Sequence, residues 1–503
     1  MFFIYLKKIF SRNTFYILLL LIQILICLIS VIVAVRYFPL THSVLMVIDI
    51  VVVFVIINRR DNPSYKTAWI IFIWIFSLFG GITYLLVRFT SYIQRKIYIR
   101  TAHHPLRLHN ESDCGLNELF PEYSGLSRYI ERCGGFPVYS ESSCEYFSSG
   151  ELQFEAMLKA LKAAENFIFM DFYIISKGKM FERISEILVE KASEGVDVSI
   201  LYDGIGTGFA YSDTIFRSLS SVGIKCRAFN CFTPFLSSSQ NNRDHRKIVV
   251  IDGKTAFNGG TNIADEYINL TERFGYWKDS AVMIKGKAVK NYTAMFLQLW
   301  NTTGGDSAPI SENEYDISEK SSGFIQPFSF SPLDREPIGK QVYLELIYSA
   351  KRYIHITTPY LLPDDELISA LRAAALKNVD VRIITPGKAD KKYVQYIARG
   401  CYCSLLSAGV RIYEYTPGFI HSKNISVDDK AALVGTINLD YRSMYLQFES
   451  AAIMYGCECI KSIEADFAET VSLSKEIDGS CCKERSLREK AAGFILNMFS
   501  PLL

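Results

Sequence analysis

Three long apolar runs occupy the first hundred residues of the chain. They extend from Tyr16 to Val35, from Leu40 to Ile57 and from Ala68 to Val87. A helix needs about 20 apolar residues to cross the hydrocarbon core of a bilayer, and each run is close to that length. The pattern predicts that residues 1–100 form a transmembrane anchor region of two or three helices, followed by a juxtamembrane segment at 101–150.

Basic residues flank the second and third runs and bear on their orientation. One group, including Arg59 and Lys66, lies between these runs, and another, including Arg88 and Arg100, follows the third. Basic loops favour the cytoplasmic side, and a full crossing by the third run would separate the two groups. We therefore expect two true crossings in the cell membrane, with the catalytic part on the cytoplasmic side. The alternative is that one basic group lies outside.

After the juxtamembrane segment, stretches with helical spacing alternate with short apolar strands. Glu151 to Ala164 has helical spacing, and 166–175 is a buried strand run. The pair repeats at 181–193 and 196–202. Such alternation is typical of an α/β fold with a mostly parallel sheet covered by helices.

The same order of elements returns later in the chain. A strand run at 352–361, a helix from Asp365 to Ala375 and a strand at 379–384 match the first series. The sequence therefore predicts an α/β protein with two pseudo-symmetric repeats, each a mostly parallel sheet flanked by helices, behind an N-terminal transmembrane helical region. The predicted parts are repeat 1 at 151–303, a polar linker at 304–322, repeat 2 at 323–470 and a C-terminal helical tail at 471–503.

Each repeat ends in the same short motif. Its frame is H-x-K, four residues, Asp, six residues, and then G-[GT]-x-N. The first copy contains His245, Lys247, Asp252 and Asn262, and the second contains His421, Lys423, Asp428 and Asn438. Because the chain has only seven histidines, two of them in one shared frame indicate an internal duplication that carries chemistry.

Composition narrows the class of protein. Lys plus Arg total 54 and Asp plus Glu total 52, so no bulk charge favours nucleic acid. The 12 cysteines lack the C-x2-C spacing of zinc sites, and many free thiols fit a reducing compartment. No G-x-x-x-x-G-K-[ST] stretch signals a nucleotide site. We expect no metal, no other cofactor and no nucleic-acid partner, and the oligomeric state stays open.

The motif gathers groups that bind phosphate. Strand periodicity puts His245 and Lys247 on one face, and likewise His421 and Lys423. The aspartate of each copy then forms a hairpin turn and gives local hydrogen-bonding support, and the returning strand leads to the asparagine. One motif thus offers an imidazole, a cation and an amide, which is half of a phosphate site. Two motifs that face each other across a pseudo-twofold axis would complete it.

Two such half-sites suit phosphodiester exchange. One imidazole would attack phosphorus and form a phosphohistidine, and the other would protonate the leaving alkoxide and then deprotonate the incoming alcohol or water. The two lysines, with Asn262 and Asn438, would hold the non-bridging oxygens. Each histidine also needs an acceptor for its other ring nitrogen. Asp279 and Glu449, each about thirty residues after a histidine, are the candidates.

The paired motifs resemble those of the phospholipase D superfamily, whose signature is H-x-K-x4-D followed by G-[SGT]-x-N. The segments 243–253 and 434–443, and the membrane portion from about residue 62, are similar to the bacterial cardiolipin synthase family within it. The resemblance covers the chain from about residue 45 onward. Asp171 and Gln447 depart from the family pattern, where relatives often have Glu and Asn, and both bear on the specificity pocket.

The resemblance implies a reaction in which one phosphatidylglycerol donates its phosphatidyl group to a second, giving cardiolipin and glycerol. Phosphatidylglycerol and membrane phospholipids would be the partners. It also implies that His245 is the nucleophile and His421 the acid–base, although the pseudo-symmetry leaves the reverse open. The alternatives are a phospholipase D-type hydrolase, a phosphatidyltransferase with another acceptor, a nuclease, and an inactive membrane scaffold.

Overall fold

The computed structural model describes most of the chain between residues 39 and 479. The described ranges are 39–59, 61–76, 79–101, 115–231, 238–305, 319–320 and 323–479, with isolated positions before residue 39. The predicted run from Tyr16 to Val35, most of the predicted linker and the tail beyond residue 479 lie outside them. The described residues fall into two compact units: those up to residue 100, with 230–231 and 238–242, belong to the first, and those in 101–229 and 243–479 belong to the second.

The first unit contains three helices, α1 at Pro39–Asn58, α2 at Pro63–Ile75 and α3 at Gly80–Thr101. The prediction of one continuous helix from Ala68 to Val87 is wrong, because α2 ends and α3 begins inside it. Gly81, the second residue of α3, lies against α1: its N–H donates to Oδ1 of Asp49 at 2.8 Å, an approach that leaves no room for a Cβ atom. Among the described residues, no helix combines the length and the apolarity that a membrane crossing needs.

The second unit alternates helices and strands as the sequence predicts. Its helices are α4 at Leu116–Leu119, α5 at Ser124–Gly134, α6 at Gly150–Lys162, α7 at Lys179–Ser193, α8 at Phe209–Ser221, α9 at Val289–Thr302, α10 at Ile338–Ser349, α11 at Asp365–Leu376, α12 at Lys392–Leu406, α13 at Tyr441–Tyr445 and α14 at Cys459–Ser472. Short 3-10 turns cover Pro121–Tyr123 and Asp265–Ile268 here, and Ser238–Asn241 in the first unit.

The strands of the second unit have two to nine residues each. In repeat 1 they are β1 at Ser142–Phe147, β2 at Phe167–Phe172, β3 at Asp197–Asp203, β4 at Lys225–Phe229, β5 at Arg243–Asp244, β6 at Lys247–Ile251, β7 at Thr255–Gly259, β8 at Tyr276–Lys278 and β9 at Ala281–Gly286. In repeat 2 they are β10 at Phe324–Phe330, β11 at Tyr353–Thr357, β12 at Asp380–Pro386, β13 at Arg411–Tyr415, β14 at Gly418–Ile420, β15 at Asn424–Val427, β16 at Ala431–Gly435, β17 at Gln447–Tyr455 and β18 at Ser474–Ile477.

The two repeats build sheets with the same strand order. Repeat 1 runs β1-β9-β7-β6-β2-β3-β4, and repeat 2 runs β10-β17-β16-β15-β11-β12-β13, with β18 added at its edge. The α/β, two-repeat prediction is therefore confirmed, but the prediction of mostly parallel sheets is wrong. In the described sheets, β2-β3-β4 and β11-β12-β13 pair in parallel, and the strands on the motif side pair antiparallel. Helical crossovers permit the first arrangement, and tight hairpin turns join two of the antiparallel pairs, β6–β7 and β15–β16.

Two strands lie outside the predicted repeat boundaries. β1, in the predicted juxtamembrane segment 101–150, pairs with β9 and forms the edge of the first sheet. β18, in the predicted helical tail 471–503, pairs with β13. Both are short and half-exposed, so neither carries the continuous apolar run that marks the central strands.

Candidate active site

Short parallel strand pairs join the repeats at two equivalent places. β5 of repeat 1 pairs with the start of β17 in repeat 2, and β14 of repeat 2 pairs with β8 in repeat 1. A motif histidine follows each pair. The N–H of His245 donates to the carbonyl of Phe448 at 2.9 Å, and that of His421 donates to the carbonyl of Lys278 at 2.7 Å. The main chain of each histidine is thus held by the opposite repeat.

The same strand pairs deliver a carboxylate to each imidazole. Nδ1 of His245 lies 3.1 Å from both carboxylate oxygens of Glu449, and Nδ1 of His421 lies 2.7 Å from Oδ2 of Asp279. Distance along the chain suggested the opposite assignment, with Asp279 serving His245, and that pairing is wrong. The reason is the register: each carboxylate directly follows the residue whose carbonyl accepts from the histidine of the other repeat. A carboxylate at Nδ1 favours the tautomer with its proton there, which leaves Nε2 for the substrate.

The second residue of G-[GT]-x-N decides how each carboxylate is held. In repeat 2, Thr436 donates from its hydroxyl to Oε2 of Glu449. In repeat 1 the equivalent Gly260 leaves space instead, because a Cβ atom there would come within 2.0 Å of Oδ1 of Asp279. Glycine and threonine therefore alternate at this position for a physical reason: one makes room for a carboxylate, and the other adds a donor to it.

Both motif lysines lie in the interior. Nζ of Lys247 donates to the carbonyl of His245 at 2.6 Å, and Nζ of Lys423 donates to the carbonyl of His421. Burial lowers the pKa of Lys247 to about 7 and that of Lys423 to about 8. The nearby carboxyl groups of Glu449 and Asp279 offset part of this decrease. The site therefore holds two cations that an anionic ligand would stabilise.

The imidazoles respond to burial and to these cations. Burial and then the charge of Lys247 hold the pKa of His245 well below its usual value, and burial with Lys423 lowers the pKa of His421 to about 4. The neutral form of His245 has the lone pair that a nucleophile needs. Burial raises the pKa of Glu449 well above its usual value. Burial also pushes the pKa of Asp279 upward, but His421 and Lys423 outweigh it and the net shift is downward.

The two motif asparagines differ in their surroundings. Asn262 is engaged at both ends of its amide: Oδ1 accepts from the N–H of Ile174 at 3.0 Å, and Nδ2 donates to the hydroxyl of Tyr267 at 2.8 Å. Oδ1 of Asn438 is buried and has no hydrogen-bond partner among the described residues. Their role in holding phosphate oxygens stays a prediction.

The motif aspartates lie at the other end of the motif strands, beyond β6 and β15. The carboxylate of Asp252 accepts from the N–H groups of residues 165–167, and that of Asp428 accepts from those of residues 351–353. Both have positive φ, 54° and 56°, in hairpin turns. The predicted turn role fits these contacts, and neither carboxylate contacts a motif histidine.

Sequence reasoning missed the unequal surroundings of the two histidines. Tyr267, Trp277 and Phe419 pack around His421, with ring centroids 5.3–5.9 Å from the imidazole. The side of His245 is more polar: the Gln447 amide donates to Glu449 at 3.0 Å and accepts from Arg442 at 3.2 Å. The sequence does carry a sign of this difference two residues before each histidine: Arg243 precedes His245, whereas Phe419 precedes His421.

The remaining departure from the family pattern, Asp171, is buried on β2 next to the first motif. Its Oδ2 lies 2.7 Å from a guanidinium nitrogen of Arg246. Within the described residues, no group of three or more His, Cys, Asp or Glu side chains is arranged to hold a metal ion.

Known protein families match this chain in both repeats and in the N-terminal region. A family model described as "Cardiolipin synthase, PLD-like domain" matches residues 157–300 and 343–471, and one described as "Phospholipase_D-nuclease N-terminal" matches 47–88. A Streptococcus mutans protein, named only as uncharacterized, is 42% identical over 90% of this chain and 99% of its own length. A cardiolipin synthase of Geobacillus kaustophilus is 34% identical over 92% of this chain and 93% of its own.

A solved structure shares the fold. The phosphatidylserine synthase of Haemophilus influenzae aligns with a TM-score of 0.55 at 15% identity, over 76% of this chain and 98% of its own. Fold and site together define a two-repeat protein of the phospholipase D class. The family match and the extent of the curated relatives show that the chain belongs to the cardiolipin synthase family, and it is accordingly an enzyme of the phosphatidyltransferase type.

Proposed function

We propose that this enzyme transfers a phosphatidyl group from one phosphatidylglycerol to another and releases glycerol. The observation that carries the proposal is the exchange of carboxylates between repeats, which gives two oriented imidazoles in one buried site beside two lysines. That arrangement suits two successive displacements at one phosphorus. One phosphodiester replaces another, so the reaction is nearly energy-neutral and needs no nucleotide.

The first displacement forms the covalent intermediate. Nε2 of His245 attacks phosphorus while the bond from phosphorus to the glycerol oxygen breaks, and Nε2 of His421 gives that oxygen a proton. Lys247 and Lys423 neutralise the charge on the non-bridging oxygens as the five-coordinate phosphorus forms, and Nδ2 of Asn438 donates a hydrogen bond to one of them. Glu449 stabilises the positive charge that the phosphorylated imidazole of His245 acquires.

The second displacement restores the enzyme. Nε2 of His421 now takes the proton from a hydroxyl of the second phosphatidylglycerol, whose oxygen attacks phosphorus while the bond to His245 breaks. Asp279 stabilises the imidazolium of His421 in each half of the cycle, because it accepts from Nδ1 whether or not Nε2 is protonated. The assignment of His245 as nucleophile follows the family resemblance.

The product mixture tests this proposal. Purified full-length protein in detergent micelles that contain phosphatidylglycerol as the sole phospholipid should yield cardiolipin and glycerol in equal amounts by mass spectrometry. Phosphatidic acid as the sole lipid product would support the hydrolase instead. His245→Ala and His421→Ala should each abolish product formation, and a variant of either that kept near-normal turnover would contradict the paired site.

We further propose that the apolar segments of residues 1–100 attach the protein to the cell membrane, with the catalytic unit on the cytoplasmic side. The apolar side chains exposed on α1, such as Val47 and Phe54, support this idea, because water would solvate them poorly. The full chain should remain in carbonate-washed membranes, and protease added outside intact spheroplasts should spare a C-terminal tag. Release by carbonate would contradict membrane insertion, and loss of the tag would reverse the orientation.

A further inference from the structure

Lys278, the last residue of β8, contacts the active site with its main chain and a separate polar cluster with its side chain. Its carbonyl accepts from the N–H of His421 at 2.7 Å, and the next residue, Asp279, contacts Nδ1 of the same histidine. Nζ of Lys278 donates to Oδ1 of Asp466 on α14 and to the carbonyl of Ser148. The two charged side chains are only 12% and 9% exposed, so solvent screens this ion pair little. A helix of repeat 2 thus holds the strand that brings Asp279 to His421.

Hydrogen bonds lead from Asp466 back to the residue that follows Asp279. The hydroxyl of Tyr146 on β1 donates to Oδ2 of Asp466 at 2.6 Å and accepts from Nδ2 of Asn424 at 3.1 Å. Oδ1 of Asn424 in turn accepts from the hydroxyl of Ser280 at 2.9 Å. These contacts close a ring that holds the chain on both sides of Asp279. We call this set the polar ring: Lys278, Asp466, Tyr146, Asn424 and Ser280.

The half-site of His245 has apolar residues at the positions that match most of the polar ring. The motif histidines, their carboxylates and the strand pairs β1–β9 and β10–β17 align the two repeats. In this alignment Lys278, Asp466, Tyr146 and Asn424 correspond to Phe448, Phe296, Pro327 and Ile248. Phe296 stacks on Phe169 there, with ring centroids 4.5 Å apart. Apolar packing therefore suffices at these positions, and the polar ring serves something particular to the half-site of His421.

The carboxylates of the two half-sites are held by different means. Glu449 accepts directly from the hydroxyl of Thr436, whereas Gly260, at the equivalent position, has no side chain that could donate to Asp279. The N–H of Ser280 donates to Oδ1 of Asp279 at 2.9 Å, so the stretch of chain that the polar ring holds also supplies this bond. Position matters here, because a displacement of about 1 Å in an active site can lower a rate by about 10²-fold.

We propose that the polar ring positions Asp279, and through it His421, for proton transfer. This inference rests on the proposed function, in which His421 protonates the leaving glycerol and deprotonates the acceptor. Asp466 and Tyr146 are positioning residues, because they act through the main chain on either side of Asp279. The nucleophile His245 has a carboxylate of its own, so a broken ring should impair proton transfer more than the attack on phosphorus.

Two donors with different leaving groups test the polar ring in one sample. The purified full-length enzyme is given short-chain phosphatidylglycerol together with short-chain phosphatidyl-p-nitrophenol, and the initial rates of glycerol and p-nitrophenolate release are compared. Only the glycerol oxygen needs a proton from His421 as it leaves. The ratio of the two rates compares kcat/KM values, so a partly unfolded preparation does not change it. Asp466→Asn should lower the ratio of glycerol to p-nitrophenolate by about tenfold or more.

Three further variants sharpen the test. Tyr146→Phe, which removes one hydroxyl from the polar ring, should lower the ratio by a smaller factor, and Asp279→Asn should lower it at least as far as Asp466→Asn. Glu469→Gln makes the same acid-to-amide change at an exposed position of α14 and should keep the wild-type ratio. An unchanged ratio in Asp466→Asn, with both rates normal or both reduced alike, would overturn the role of the polar ring while phosphatidyl transfer by the wild type stood. Absence of glycerol release by the wild type would overturn the proposed function and the role of the polar ring together.

Discussion

Asp279→Asn removes the carboxylate that lies 2.7 Å from Nδ1 of His421. Asn still fits the site, but it no longer stabilises the imidazolium and no longer holds the pKa of His421 upward, as the carboxylate does. His421 is then a weaker acid–base catalyst, whereas the nucleophile His245 keeps its own carboxylate, Glu449. The variant should therefore lose the steps that move a proton and keep the attack on phosphorus.

The expected loss follows from the size of proton-transfer catalysis. General acid–base help is typically worth about 10²–10⁴-fold, or about 3–5 kcal/mol at 1.36 kcal/mol per factor of ten. With phosphatidylglycerol, whose leaving alkoxide needs a proton, Asp279→Asn should lower kcat by roughly this factor. With a p-nitrophenyl headgroup the leaving group needs no proton, so the first displacement should slow by less than about tenfold.

Stopped-flow release of p-nitrophenolate distinguishes these steps. Asp279→Asn should give a burst of about one equivalent per active site, followed by slow turnover, because the phosphohistidine forms but is not resolved. His421→Ala should behave in the same way. Glu449→Gln and His245→Ala should lose the burst. If Asp279→Asn instead matched His245→Ala, the pairing of carboxylates across the repeats would have no functional meaning and the reasoning would be refuted.

Three other predictions concern the supports of the site. Gly260→Ala would bring Cβ within 2.0 Å of Oδ1 of Asp279, so kcat should fall by about a hundredfold or more with little change in KM. Thr436→Ala removes a single donor to Glu449 and should lower kcat by only about tenfold. Comparable losses of kcat for the two variants in steady-state assays would contradict this reasoning. The pKa of Lys247 is lowered to about 7 and that of Lys423 to about 8, so both lose their charge as pH rises through this interval. A non-cleavable phosphonate analogue of phosphatidylglycerol should therefore bind more weakly above pH 8 by calorimetry, and Lys247→Arg should make this binding less dependent on pH. Wild-type binding that does not change with pH would count against charged lysines. Asp428→Ala removes the acceptor of three backbone N–H groups and should lower the free energy of unfolding of the second unit by about 1–3 kcal/mol in urea. Asp428→Asn should be less destabilised, because asparagine retains an acceptor and tolerates positive φ. Equal destabilisation by both substitutions would show that the charge of Asp428 matters instead.

Much of the fold and of the site could be predicted from residues that carry a strong local pattern. The two H-x-K frames, and elements such as α6 and α11, follow from spacing and periodicity alone. The site residues named in advance include the four groups that form the two imidazole–carboxylate pairs, and the structure brings all four into one buried region.

The pairing itself was beyond reach of the sequence. β5, β8 and β14 have only two or three residues, too few for a period of their own, and their register is set by packing between repeats that are far apart in the chain. Proximity along the chain therefore assigned Asp279 and Glu449 to the wrong histidines. For the same reason the break between α2 and α3 escaped notice, because the apolar run continues across it.

The stereochemical course at phosphorus tests the central claim most directly. Each in-line displacement inverts the configuration, so two displacements through His245 must give net retention. Phosphatidylglycerol with isotopically chiral phosphorus, converted by the full-length enzyme into cardiolipin, should give product whose transferred phosphorus retains its configuration by ³¹P NMR. Inversion would show that the acceptor attacks the donor directly, and it would contradict an active site in which one histidine holds the phosphatidyl group while the other moves the proton.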